Sequence, residues 1–154
     1  MAYRFLRKDY DALLAKIDEL GHTVWETGQE KGRWANQSAE TWHDNFGYEE
    51  EERQQQAWSQ RLEDFVDMKN NVEIVERRLL DEVDVGSRVT IRDVTSGEER
   101  SFVVGSYQVL DQQDEEEVSY AAPLARPFIG ATVGEERTAE TGGEERVYRV
   151  VRIE

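Results

Sequence analysis

Residues 40 to 48 read ETWHDNFGY, and residues 49 to 52 that follow are four glutamates. Glu40 and Asp44 are four positions apart, so on a helical turn their carboxylates would share one side. Paired carboxylate oxygens are the donors that a hard divalent cation prefers. His43, next to Asp44, is a candidate proton carrier near neutral pH. Trp42 and Phe46, placed where two helices would meet and little core exists, would be exposed aromatics available to a partner. The same letters have a structural reading. Thr41 with an acid three residues on is close to a capping box, and Glu49 to Glu52 suit the first turns of a helix through its dipole. The two readings are compatible, because a capping carboxylate can stay exposed.

The elements that would position this segment follow from periodicity. Leu13, Leu14, Ile17, Leu20, Val24 and Trp34 recur mostly at steps of three and four, and so do Trp58, Leu62, Phe65, Met68, Val72, Val75 and Leu79, which is helical spacing. The stripes mirror one another about residue 46, pairing Leu13 with Leu79, Ile17 with Val75, Leu20 with Val72, and Trp34 with Trp58. This predicts an antiparallel helical hairpin over residues 1–81, an arm on the order of 45 Å long, with its acidic apex near residues 40–48. Trp25, Trp34 and Trp58 are expected in the hairpin core, and Gly28 opposite Phe65. Gly21 and Gly32 find no role in this scheme.

From Val83 the pattern turns to alternation, in SRVTIRD, RSFVVG and EERVYRVVRIE, with Ser96-Gly97 and Gly142-Gly143 as turn residues between runs. The stretch APLARPFIGATVGEE reads as a short helix with Pro123 near its start, shortened or bent by Pro127. Residues 82–154 are therefore expected to form a small antiparallel sheet with one helix. The acidic run Asp111 to Glu117 reads as a solvated turn. The overall class is α+β, a helical hairpin followed by a small sheet domain.

The composition narrows the function. The 154 residues include no cysteine, which excludes disulfides and thiolate chemistry, and carry a formal net charge of −15. Both parts share it: residues 1–81 hold 11 basic and 18 acidic residues, residues 82–154 hold 8 and 16. Neither is a basic footprint for nucleic acid. No apolar run is long enough to span a membrane and no secretory signal pattern opens the chain, so a cytoplasmic, non-membrane protein is expected, and a monomer. His22 and His43 are too far apart to share zinc, and no intrinsic metal site or cofactor is expected.

Val118, Ser119, Pro123, Leu124, Ala125, Arg126, Ile129, Gly130, Val133, Gly134 and Glu135 resemble the C-terminal domain of bacterial Gre-type (GreA/GreB) transcript cleavage factors, whose fold is FKBP-like. The family tip commonly reads Gly-Asp-Leu-Ser-Glu-Asn-Ala-Glu-Tyr. Laid on residues 40–48, it keeps its second acid as Asp44 and matches Asn45 and Tyr48, whereas Thr41 stands at the first acidic position. The resemblance implies a factor that docks on RNA polymerase through its globular domain, with Arg126 a candidate contact. It implies an arm passed down the secondary channel, where Trp42, His43, Asn45, Phe46 and Tyr48 would meet the polymerase. There Asp44, with Glu40 in place of the missing acid, would act as catalytic carboxylates and share a Mg2+ of the polymerase active centre, stimulating cleavage of backtracked RNA. RNA and DNA would be met only within the elongation complex. Thr41 keeps open a regulator of the same fold that occupies the channel without stimulating cleavage. Other readings are a prolyl isomerase, which would need an aromatic-lined pocket, a coiled-coil scaffold, and a relative of the nucleoside diphosphate kinase regulator, whose arm is shorter.

Overall fold

The computed structural model describes residues 2–38, 46–76 and 81–154, with side-chain surroundings for all of these except 27–38, 46–48 and 51. Two helices, α1 (Arg7–Ser38) and α2 (Phe46–Asn70), form the helical hairpin. Contacts divide the chain into one unit of residues 1–12 with 72–154 and another of residues 13–71. In the helical unit the apolar stripes bury Leu13 on α1 and Phe65 and Met68 on α2.

The division differs from the boundary expected at 81/82, and the reason is local. Asn70 and Asn71 end α2: the Asn71 side-chain amide donates to the Asp67 carbonyl at 2.8 Å, satisfying an acceptor that another helical turn would have used. The next residues, β2 (Val72–Val75), form a strand parallel to β1 (Tyr3–Leu6), with Tyr3 opposite Val72 and Leu6 opposite Val75. Val72 and Val75 are three apart and so mimic helical spacing, but VEIV is a β-branched alternating run. The mirror pairs Ile17 with Val75 and Leu20 with Val72 are therefore wrong. Phe46 opens α2 instead of sitting at the bend. Trp25 is also displaced from its expected place: it is 62% exposed and belongs to no core.

The other sheet has the order β5-β4-β3-β7-β6, from β3 (Arg88–Asp93), β4 (Glu99–Gly105), β5 (Glu117–Ser119), β6 (Glu136–Thr141) and β7 (Glu144–Ile153). It is mixed, not purely antiparallel, because β5 runs parallel to β4 after the connection through residues 106–116. Gly142 and Gly143, both with positive φ, close β6 onto β7 in a two-residue turn whose twist suits the strands. The expected short helix is a single 3-10 turn, Arg126–Phe128, with Pro127 inside it. The core under the sheet is built by Val89, Ile91, Phe102, Val104, Phe128 and Val150.

β4 ends at Gly105, where the chain passes close to the loop it has just entered. A Cβ there would lie 2.7 Å from Val109 Cγ2 and 3.0 Å from Glu117 Cγ. Gly105→Ala is expected to destabilise the protein by about 1–3 kcal/mol, as overpacking does. Urea unfolding measures it; a neutral or stabilising substitution would mean that Val109 and Glu117 move aside freely.

Candidate functional site

The sequence places Glu40, Thr41, Trp42, His43, Asp44 and Asn45 between the two helices, and these residues lie outside those the structure describes. Phe46 and Tyr48 are in the first turn of α2, and their side-chain surroundings fall outside the description as well. What is fixed is the frame: α1 ends at Ser38 and α2 begins at Phe46. Glu40 and Asp44 are each two residues from the midpoint of that connection. Arg126 is exposed on the 3-10 turn and, among the described residues, has no carboxylate partner.

The described polar centre of the sheet unit is one that periodicity does not reveal. Asp9, in the first turn of α1, is completely buried. Its Oδ2 accepts from Ser106 Oγ at 2.5 Å, and its Oδ1 accepts the backbone N–H groups of Leu110 and Asp111, each at 2.9 Å. Lys8 Nζ lies 3.4 Å from the same carboxylate and donates to Glu117 Oε1 at 2.7 Å and to the Asp111 carbonyl at 2.5 Å. Burial alone would lower the Lys8 pKa, but the hydrogen bond to Glu117 and the charges of Asp9 and Glu117 outweigh it, and the net shift is upward. Ser106 Oγ also accepts the Leu6 N–H at 2.8 Å, and Arg4 reaches Asp84 at 2.6 Å. These contacts join residues about 80 to 110 apart in sequence, beyond the reach of any pattern reading. An aspartate in a first helical turn is ordinarily explained by the helix dipole, so Asp9 gave no signal of its own.

The acidic run is likewise more than a solvated turn. Asp114 and Glu116 pair with Arg88, and Glu117 is a nearly buried strand residue tied to Lys8. The stretch from Val118 to Glu135 is mainly structural. Ser119 Oγ donates to the Tyr107 carbonyl at 2.7 Å, Ala125 and Phe128 are buried, and Gly130 and Gly134 adopt positive φ while their N–H groups donate to Val83 and Val150.

Residues 76–154 match the family described as transcription elongation factor GreA/GreB, C-terminal. The transcription elongation factor GreA of Bacillus licheniformis is 30% identical over 113 residues, covering 71% of this chain and 70% of the relative. The chain belongs to the GreA/GreB family of transcription elongation factors. GreA of Thermotoga neapolitana is 27% identical over 151 residues, covering 97% of this chain and 96% of the relative. Among solved structures, GreA factor homolog 1 (Gfh1) of Thermus thermophilus aligns over 100% of this chain and 99% of its own at 21% identity, with a TM-score of 0.49.

In this Gre-family chain the sheet unit shows no aromatic-lined prolyl site among the described clefts. Phe128 packs against Phe102 and Tyr148 in the core, at ring separations of 6.1 and 6.2 Å. A cleft of about 380 Å³ is lined by Tyr148 together with charges, among them Asp93, Glu98, Glu99, Arg100 and Arg146. Asp93 Oδ1 accepts the N–H groups of Thr95 and Ser96, and its Oδ2 takes Arg146 at 3.1 Å. The Thr95 amide first, then Ser96 and Arg146, hold the Asp93 carboxyl below its ordinary value against the opposing effect of burial.

Two outcomes test these centres. Removal of Asp9 by Asp9→Ala strands three donors and takes one of two carboxylates from Lys8, and is expected to cost about 3 kcal/mol or more, whereas Arg92→Ala, which breaks an exposed pair with Glu99, should stay within about 1 kcal/mol. Chemical denaturation of both variants checks the contrast. A depressed folded-state pKa contributes stability above the ordinary carboxylate range that is lost as pH falls through the folded value. Asp93→Asn should therefore be less stable than the parent at neutral pH, and the gap should narrow as pH falls below the ordinary carboxylate range. A gap independent of pH would show that the Asp93 charge does not contribute.

Proposed function

We propose that this chain binds RNA polymerase and acts at its active centre through the segment between α1 and α2. Family membership together with two carboxylates flanking the midpoint of that segment carries the reading. Glu40 and Asp44 are four residues apart, so their Cα atoms lie within about 14 Å even if the chain between them is fully extended. The pair is thus available to one small target.

Asp44 and Glu40 offer oxygen donors of the kind that suits Mg2+, and the cation would belong to the polymerase, not to this chain. When bound there, Mg2+ supplies Lewis acidity toward a phosphodiester and activates water. The residues of this chain add charge, orient water, and present Trp42, His43, Asn45, Phe46 and Tyr48 to the channel wall. Docking falls to the sheet unit, whose exposed Arg126 has no competing partner among the described residues. In this reading the protein is a cytoplasmic monomer without a cofactor of its own, meeting RNA and DNA only inside the elongation complex. It is an accessory factor rather than an enzyme.

Thr41 favours a second reading, a channel-occupying regulator. With an uncharged hydroxyl at the family's first acidic position, the arm would enter and hinder nucleotide addition without assisting cleavage.

RNA cleavage in purified backtracked elongation complexes at limiting Mg2+ separates the two. The first reading expects acceleration, which Asp44→Ala lowers by roughly a hundredfold if that carboxylate orients water as a general base does. Glu40→Ala should lower it as well, and polymerase affinity should hardly change in either variant. Slower nucleotide addition with no acceleration of cleavage would establish the regulator. Failure of the wild-type chain to bind polymerase would overturn both.

A further inference from the structure

Trp25 on α1 is 62% exposed. A helical side chain leans over the turn preceding it, so Trp25 lies toward the turn that carries Gly21 and His22. The His22 ring lies nearly parallel to the indole, 11° apart in plane and 6.2 Å between centroids, and its Nε2 is 3.0 Å from Glu26 Oε1. At Gly21 nothing lies within 4 Å of where a Cβ would be. The indole is therefore braced by His22, and the space at Gly21 on the preceding turn is open. Asp18, one further turn back, and Glu26 are both exposed carboxylates.

An exposed indole with carboxylates on neighbouring turns of its helix attracts a cation over its face. A nucleobase could stack on the same ring, but its phosphate would be repelled by these acids and by the net charge of −15. Between cations, a planar guanidinium can stack on the ring while donating to Asp18 or Glu26, which a lysine ammonium cannot do as well.

We propose that Trp25, with Gly21, His22 and the flanking carboxylates, receives an arginine side chain of the partner protein along the arm; resting on the function proposed above, that partner is RNA polymerase. The site is a contact separate from Asp44 and Glu40, and it contributes to affinity, not to cleavage.

The chain, labelled with 15N, shows one indole signal for each of its four tryptophans, and the Trp25 signal is the one lost in Trp25→Phe. Titration with arginine amide should move the Trp25 signal more than the other three and more than lysine amide does, and Gly21→Leu should blunt that response. Trp25→Ala should weaken polymerase binding roughly two- to fivefold, with Trp25→Phe between it and wild type, and should leave the cleavage response at saturating protein unchanged. Equal movement of all four signals, or a stronger response to AMP than to arginine amide, overturns the proposal. So does unchanged polymerase affinity in Trp25→Ala when the wild-type chain binds. If the wild-type chain does not bind polymerase at all, the function proposed above fails and polymerase is excluded as the source of the arginine, an outcome distinct from a Trp25 signal that ignores arginine amide.

Discussion

The Asp9 carboxylate is the contact on which the arrangement of the sheet unit depends. An ionised group taken wholly out of water costs several kcal/mol unless its lone pairs are used. Here Ser106, Leu110 and Asp111 supply three hydrogen bonds and Lys8 the opposite charge. The donors come from one loop and the acceptor from the first turn of α1, so the loop cannot leave without exposing Asp9 or leaving it unpaired. The neighbouring bonds act in the same direction: Leu6 N–H to Ser106, Tyr107 N–H to the Arg4 carbonyl, and Arg4 to Asp84. Strand β1 and the root of α1 thereby belong to the sheet unit although nearly 60 residues of helical hairpin intervene before β2.

Charge is distributed with a similar economy. Arg88, Arg92, Arg137, Arg146 and Arg149 each lie against at least one carboxylate. With 34 acids against 19 bases, pairing consumes cations first and leaves carboxylates as the surplus. A surface of that kind does not neutralise phosphates. It favours protein partners that bring basic residues. The aromatic side chains divide accordingly: Phe102, Phe128 and Tyr148 fill the core, and Tyr3, Tyr107 and Tyr120 form a tilted series beside β1.

Much of this was legible beforehand. Alternation located strands β3, β4 and β7, the Gly142-Gly143 turn was readable from its residues, and Pro127 foretold that the helix after Pro123 would be short. The family signature from Val118 to Glu135 was legible because its glycines and small residues answer local backbone demands. Errors arose where four residues fit two periods, as in Val72–Val75. Trp25 fell on a helical stripe yet is exposed, since a stripe of step three or four drifts around the helix over several turns. Asp9 was illegible for a different reason. Its partners lie about a hundred residues away, and nothing local distinguishes a buried aspartate in a first turn from a solvated one.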